Sequence, residues 1–263
     1  MPTITVLQEH IDFLQEKRIF LHPSERYNKT WLRIGNAYNT DKQPALMESY
    51  SGQFGGGAFS SLGAFSYSHS DLGKTAHVGR YCAIGHNAAI MASDHPVGWI
   101  GMCGFDYSGA APYGAFARDN GAQFDLLPFP QRDETIVVED GAWIGNDVLF
   151  AAPIRVGKGS VIAARSIVTK DVPPYAIVAG SPATVRKLRF PEKTVERLIA
   201  SDWTKYSFLN FQGMDRTDPE RFLEQFEEAK ATGKISRMAD HRIDVHAEFV
   251  RIAEAYGGVA MVE

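Results

Sequence analysis

The chain has 263 residues, 44% of them hydrophobic, and a formal charge of −4. That length supports a sizeable core plus an accessory unit, and the weak negative balance gives no global pull towards nucleic acid or an anionic membrane. No apolar run is long enough to span a bilayer, no cleavable leader is evident and two cysteines make no disulfide framework, so a cytoplasmic, reduced protein is expected.

Near the start, Val6, Leu7, His10, Ile11 and Leu14 are spaced for a helix, with Thr5 and Gln8 in the form of a capping box. Residues 18–52 carry no clear period, so 1–52 reads as an N-terminal helix followed by an irregular segment.

Between Val138 and Val168 every sixth residue is large and apolar: Val138, Ile144, Phe150, Val156, Ile162, Val168. Four places after each rung stands a small or β-branched residue, Ala142, Val148, Ile154, Ser160, Ser166 and Val172. Directly after the rungs come Glu139, Gly145, Ala151, Gly157, Ala163 and Thr169. The same phase appears earlier as Leu72, Val78, Ile84 and Ile90, and its fourth-place column reads back through Cys82, Ala76, Ser70 and Ala64 to Ala58. A helix repeats at about 3.6 and an exposed strand at 2, so neither yields six. A short strand followed by a tight corner does. Three such units make one triangular coil of eighteen residues, and stacked coils pair as parallel strands about 4.8 Å apart. Glycine after the rung suits a chain that bends sharply. Cys82, in the small column, is a packing residue.

These coils are expected over 53–95 and 136–182, making 53–182 one domain. Its excursion at 96–135 is rich in Gly, Ala, Pro and aromatics, including Trp99, Phe105 and Tyr107, and contains Cys103. A loop of that length is usually functional. After Pro182 the period becomes helical: Val195, Leu198, Ile199 and Trp203 follow Pro191, Phe222, Leu223 and Phe226 follow Pro219, and 241–256 reads as a third helix. Residues 183–263 are thus a helical subdomain placed to protect the open end of the stack.

The stretch GAWIGNDVLFAAPIRVGKGSVIAARSIVTKDVPPYAIVAGSPATVRKLRF (141–190) closely resembles the hexapeptide-repeat acyltransferases, and within them the xenobiotic (streptogramin and chloramphenicol) acetyltransferase branch. VGRYCAIG at 78–85, Asp94-His95-Pro96 and RFPEKTVERLIASDW at 189–203 extend the likeness over roughly 60–206. It implies an all-β core formed as a left-handed parallel β-helix, with the excursion loop and the C-terminal helices attached. It also implies a homotrimer, acetyl-CoA held in a groove between subunits, and an acceptor hydroxyl activated by one histidine. The loop departs from the family, reading VGWIGMCGFDYSGAAPYGAF where the branch usually carries a Ser-Thr-aromatic-Pro-Phe segment. That leaves the acceptor open among antibiotics, polysaccharides, lipopolysaccharides and nucleotide sugars, with an amine also conceivable.

Acetyl transfer from a thioester to a hydroxyl needs a base that titrates near neutrality, and an imidazole, with an ordinary pKa near 6.5, can take the acceptor proton and later return it to the thiolate. By motif and position His95 is that base. Asp94 either orients the ring or forms the turn. For the oxyanion, a backbone N–H at a corner glycine such as Gly145 is a candidate. By resemblance, Trp143 borders the cofactor groove or packs against a neighbouring subunit, and Asn146, Ala163, Ala164, Thr169 and Lys170 meet the pantetheine arm and phosphates. Arg186, with Lys187 and Arg189, meets the 3′-phosphate or forms a solvated charged face. No metal is expected. Two other readings are kept. His77, His86 and His95 could build a zinc site like that of γ-class carbonic anhydrases, or the coils could be a non-catalytic scaffold. The acyltransferase reading has acetyl-CoA as co-substrate, no acyl-enzyme, and a small-molecule or saccharide acceptor.

Overall fold

A computed structural model describes residues 3–27, 30–40, 43–91, 94–129 and 132–257. The chain divides into two units, residues 1–90 with 135–263, and residues 91–134. The larger unit is built of three walls of short parallel strands. The first wall stacks Leu46–Glu48, Ser61–Leu62, Ala76–Val78, Ile136–Val138 and Ile154–Val156. The second stacks Ile19–Phe20, Ser51–Gln53, Tyr67–Ser68, Ala83–Ile84, Trp143–Ile144, Val161–Ile162 and Ala176–Gly180. The third contains Ala89–Ile90, Leu149–Phe150 and Ile167–Val168.

Register explains the six-residue ladder. Ile144 pairs with Ile162, Val138 with Val156 and Phe150 with Val168, each eighteen residues on. All six of these rungs are buried, none more than 1% exposed. Val78 pairs with Val138, Ile84 with Ile144 and Ile90 with Phe150, sixty residues apart, so the excursion is inserted without disturbing the stacking on any wall.

The earlier coils are shorter. Leu62 pairs with Val78 sixteen residues on, and Gln53 with Ser68 fifteen on. The step lost is on the third side, where among the described residues no strand forms before Ala89. Ser60 and Ser66 tighten this part instead, their hydroxyls donating to the carbonyls of Gly73 (2.9 Å) and Gly79 (2.6 Å). The strict hexad therefore stops at Leu72, and Ala64 and Ala58, read as part of the small column, are out of phase. Strand pairing also begins earlier than residue 53, with Leu46–Glu48 and even Ile19–Phe20 already in the walls.

Glycine after the rung has a different cause from the expected bend. A Cβ on Gly145 would lie 2.6 Å from the Ala164 nitrogen, and one on Gly157 2.5 Å from the Pro174 nitrogen. These glycines let one coil approach the next. The left-handed turns come two residues later, at Tyr81, Gly141, Gly159 and Tyr175 on one corner and Asn87, Asp147 and Arg165 on another.

Helix α1 (Gln8–Glu16) starts without the Thr5–Gln8 box. Thr5 is in a strand, and the helix start is satisfied when Leu7 N–H donates to His10 Nδ1 (2.9 Å). In the excursion unit, Tyr113–Asp119 forms α2. The three C-terminal helices are α3 (Glu192–Ser201), α4 (Pro219–Ala231) and α5 (Val245–Tyr256). Residues 242–244, expected as helix, instead pair antiparallel with Leu46–Glu48 and cover the first-wall edge. Phe249 and Ile252 of α5 join Ile11 and Leu14 of α1 in the core beside Met47 and Phe59. Of the helices, α1 and α5 thus close the early end of the stack, whereas α3 and α4 pack in separate clusters with Tyr175, Phe190, Tyr206 and Phe211. Ala183–Leu188 folds back antiparallel on Ala176–Gly180 at the late end.

Candidate active site

In the excursion unit, His95 is exposed, and its Nδ1 lies 2.6 Å from the Met102 carbonyl oxygen and 2.8 Å from the Tyr107 hydroxyl. A carbonyl only accepts, so Nδ1 carries the proton, and the Tyr107 oxygen can share it as a second acceptor. The lone pair is then on Nε2, which no hydrogen bond engages among the described residues. That tautomer is the one a general base requires. Asp94 does not hold the ring. Both its oxygens accept from Arg132 Nη1, at 3.1 and 3.3 Å, and that ion pair takes the carboxylate away from the orienting role.

Aromatic packing fixes the ring's partners. Tyr107 lies 4.9 Å from Phe129 and 6.1 Å from Trp99, centroid to centroid, and Trp99 also meets Phe129 at 5.8 Å. Phe105 belongs to a second group with Tyr113 and Phe124. With Phe116 and Leu126 they line an apolar hollow of about 780 Å³, within the roughly 300–1,000 Å³ usual for small-molecule sites. Cys103 is exposed and free.

The residues matched to cofactor binding lie in the larger unit. Trp143 points outward from the second wall, 57% exposed, and pairs with Ala83 and Val161. Asn146, Ala163 and Ala164 come together at the corner leading to the third wall. There Gly145 N–H donates to Ile162 O and Arg165 N–H to Asn146 O, both at 2.9 Å. The Asn146 side-chain oxygen is already used, accepting from His86 N–H at 2.9 Å, while its amide NH₂ donates to no partner among the described residues. Ala164 is exposed and Ala163 half-buried, so little side chain covers the backbone there. Thr169 and Lys170 are exposed at the far end of the third wall, away from that corner along the coil. Arg186 is exposed on the closing hairpin and donates to Ala179 O at 3.0 Å.

The histidines do not assemble as a zinc reading requires. His77 faces outward on the first wall, paired with Ser61 and Val137, so His95 is not the residue stacked on it. His86 instead stacks on His69, ring centroids 4.3 Å apart. Among the described residues no three His, Cys, Asp or Glu side chains converge as a metal site. Sequence reasoning missed Met102 and the contact of Tyr107 with His95. Only the proximity of the loop aromatics to Asp94-His95-Pro96 could have pointed to Tyr107.

No family model matches the chain. It is 33% identical over 161 residues to a chloramphenicol acetyltransferase of Klebsiella aerogenes, covering 60% of this chain and 72% of that one. It is 26% identical over 166 residues to a galactoside O-acetyltransferase of Lactococcus lactis, covering 62% and 66%. Among solved structures, a hexapeptide-repeat-containing acetyltransferase from Vibrio cholerae aligns at 20% identity and a TM-score of 0.33, over 55% of this chain and 64% of that one. The chain belongs to the hexapeptide-repeat acyltransferases, in their xenobiotic acetyltransferase branch.

Proposed function

We propose that the protein transfers an acetyl group from acetyl-CoA to a hydroxyl of a saccharide-like or xenobiotic acceptor, with His95 as general base. The observation that carries this is the bond from His95 Nδ1 to the Met102 carbonyl, because it leaves Nε2 as the proton acceptor. Nε2 takes the acceptor proton as the oxygen attacks the thioester carbonyl. The C–S bond then breaks, and the same proton passes from Nε2 to the departing thiolate. Transfer is direct. Burial pushes the Cys82 thiol up to about 12, so it offers no thiolate nucleophile.

In this reading the pantetheine arm runs along the sparsely covered backbone at Ala163 and Ala164, with Asn146, Thr169, Lys170 and Trp143 beside the cofactor and Arg186 towards the 3′-phosphate. The protein is a cytoplasmic homotrimer of left-handed β-helices whose sites lie between subunits. The excursion unit selects the acceptor, through Phe105 at its apolar hollow and Trp99 in the His95–Tyr107 cluster.

Calorimetric titration with acetyl-CoA, repeated with dephospho-CoA, tests the donor. About one site per chain is expected, weakened without the 3′-phosphate, and no heat with either ligand would reject the reading. His95→Ala should abolish turnover and keep acetyl-CoA affinity. An unchanged rate in that variant rejects the base.

A further inference from the structure

At the corner joining the first and second walls, the left-handed residues stack coil upon coil: Tyr50, Phe65, Tyr81, Gly141, Gly159, Tyr175. Tyr50 meets Phe65 at 6.3 Å and Phe65 meets Tyr81 at 4.9 Å, centroid to centroid. The two glycines open a notch in this aromatic column. A Cβ on Gly141 would touch Trp203 at 3.6 Å, and one on Gly159 would lie 2.5 Å from the Tyr175 ring. Trp203 fills the notch and donates its indole N–H to the Tyr175 hydroxyl at 3.2 Å.

Beside Trp203, with Tyr175, Phe190 and Phe208, is a hollow of about 370 Å³ that also takes Arg189 and Arg216. Its size suits a small ligand. The Arg189 guanidinium lies 5.5 Å from the Tyr175 ring centroid and 5.1 Å from that of Phe190. Neither arginine has a carboxylate within ion-pair distance among the described residues, whereas nearby Arg197 pairs with Glu220 and Glu227, Arg221 with Asp215 and Arg237 with Asp202. Arg189 Nη1 donates to Gly159 O at 2.6 Å, which fixes that guanidinium and leaves its remaining N–H groups without a counter-ion. Aromatic walls favour a planar ring, and such guanidinium groups favour phosphate or carboxylate oxygens.

We propose that this pocket binds a small planar aromatic anion. It lies on a different corner from Asn146, Ala163 and Ala164, and it is independent of the acetyl-transfer chemistry.

Trp203 is one of four tryptophans, so protein labelled with ¹⁵N-tryptophan gives a resolved indole signal for it, assigned by its loss in Trp203→Phe. The protein is saturated with CoA to keep any cofactor groove filled, then titrated with AMP and, separately, with benzoate. Adenosine and inorganic phosphate serve as ring-only and charge-only controls. A saturable shift of the Trp203 signal with AMP, benzoate or both is expected. Adenosine and phosphate should bind about tenfold more weakly or worse, and Arg189→Gln with Arg216→Gln should weaken the responding anion by about tenfold or more. A response to AMP alone assigns a phosphate and one to benzoate alone a carboxylate. No saturable shift with either anion, or the same Kd in the double variant with the other indole signals in place, overturns the proposal.

Discussion

The Tyr107 hydroxyl lies 2.8 Å from His95 Nδ1, the same nitrogen that meets the Met102 carbonyl. Two oxygen acceptors on one N–H hold the ring in the Nδ1–H tautomer and also stabilise the imidazolium that forms when Nε2 takes a proton. Removing one acceptor at an exposed site is worth about 0.5–1.5 kcal/mol, so Tyr107→Phe should lower kcat about two- to tenfold. Acetyl-CoA affinity should not change. The ¹⁵N shifts of His95 should report more of the Nε2–H tautomer in the variant. If neither tautomer nor rate responds, Met102 alone holds the ring.

Glu48 and Arg80 form a second relationship, deep in the stack. Both are nearly fully buried, and Arg80 Nε donates to Glu48 Oε2 at 2.6 Å while its Nη2 meets the other oxygen. Glu48 also accepts from Ala64 N–H, and Arg80 donates to Ala239 O at 3.0 Å, so the pair joins two coils to the C-terminal segment. Glu48→Ala strands a buried guanidinium and should cost about 3–5 kcal/mol in urea unfolding. Glu48→Met with Arg80→Met should recover much of that loss, since an apolar pair leaves no stranded charge. Equal losses in the single and double variants would mean the pair contributes through packing alone.

The regular coils were legible because Ile144, Ile162 and their fellow rungs repeat the geometry of one wall every eighteen residues. Where the chain deviates from that period, the sequence became silent. The short coils before Leu72 keep buried Leu62 and Ser68 but shift their phase, and Ile19 pairs with Ser51 across thirty-two residues of sequence that carry no clear period. Left-handed corners at Tyr81, Asn87, Asp147 and Arg165 carry no glycine to announce them. At the site, His95 was readable from its motif, but its partners were not. Tyr107 and Met102 reach it through a loop fold that no periodicity encodes, and Arg132, thirty-eight residues away, engages Asp94.

Gly145 tests the reason given for the rung-following glycines. The nearest atoms to a Cβ there are backbone, the Ala164 nitrogen at 2.6 Å and its Cα at 2.9 Å, so no side chain can swing aside. Overpacking of this kind costs about 1–3 kcal/mol, and Gly145→Ala should lower Tm accordingly. Gly98→Ala is the control, because a Cβ there meets nothing within 4 Å and no left-handed φ is recorded for it. Equal Tm values for the two variants would remove close coil stacking as the cause.

His10 makes stability depend on pH. Its Nδ1 accepts Leu7 N–H, so its Nε2–H donates to Phe249 O at 2.9 Å, and the ring is fully buried against Phe249. The bond from Leu7 requires the neutral ring, whereas the bond to Phe249 O would survive protonation; burial outweighs it and holds the pKa below the ordinary 6.5. The unfolded chain therefore binds a proton that the folded chain refuses. The contribution is complete above about pH 6.5 and declines as pH falls from there towards the folded value, at up to about 1.4 kcal/mol per pH unit for one proton. His69, also lowered by burial and by neighbouring His86, adds in the same direction. Urea midpoints should therefore drop between pH 7.5 and 5.5. In His10→Gln the molecule should be less stable at pH 7.5, having lost the ring's packing, but its midpoint should fall less steeply with acid. A variant with the same slope as the parent protein would assign the proton uptake to other groups.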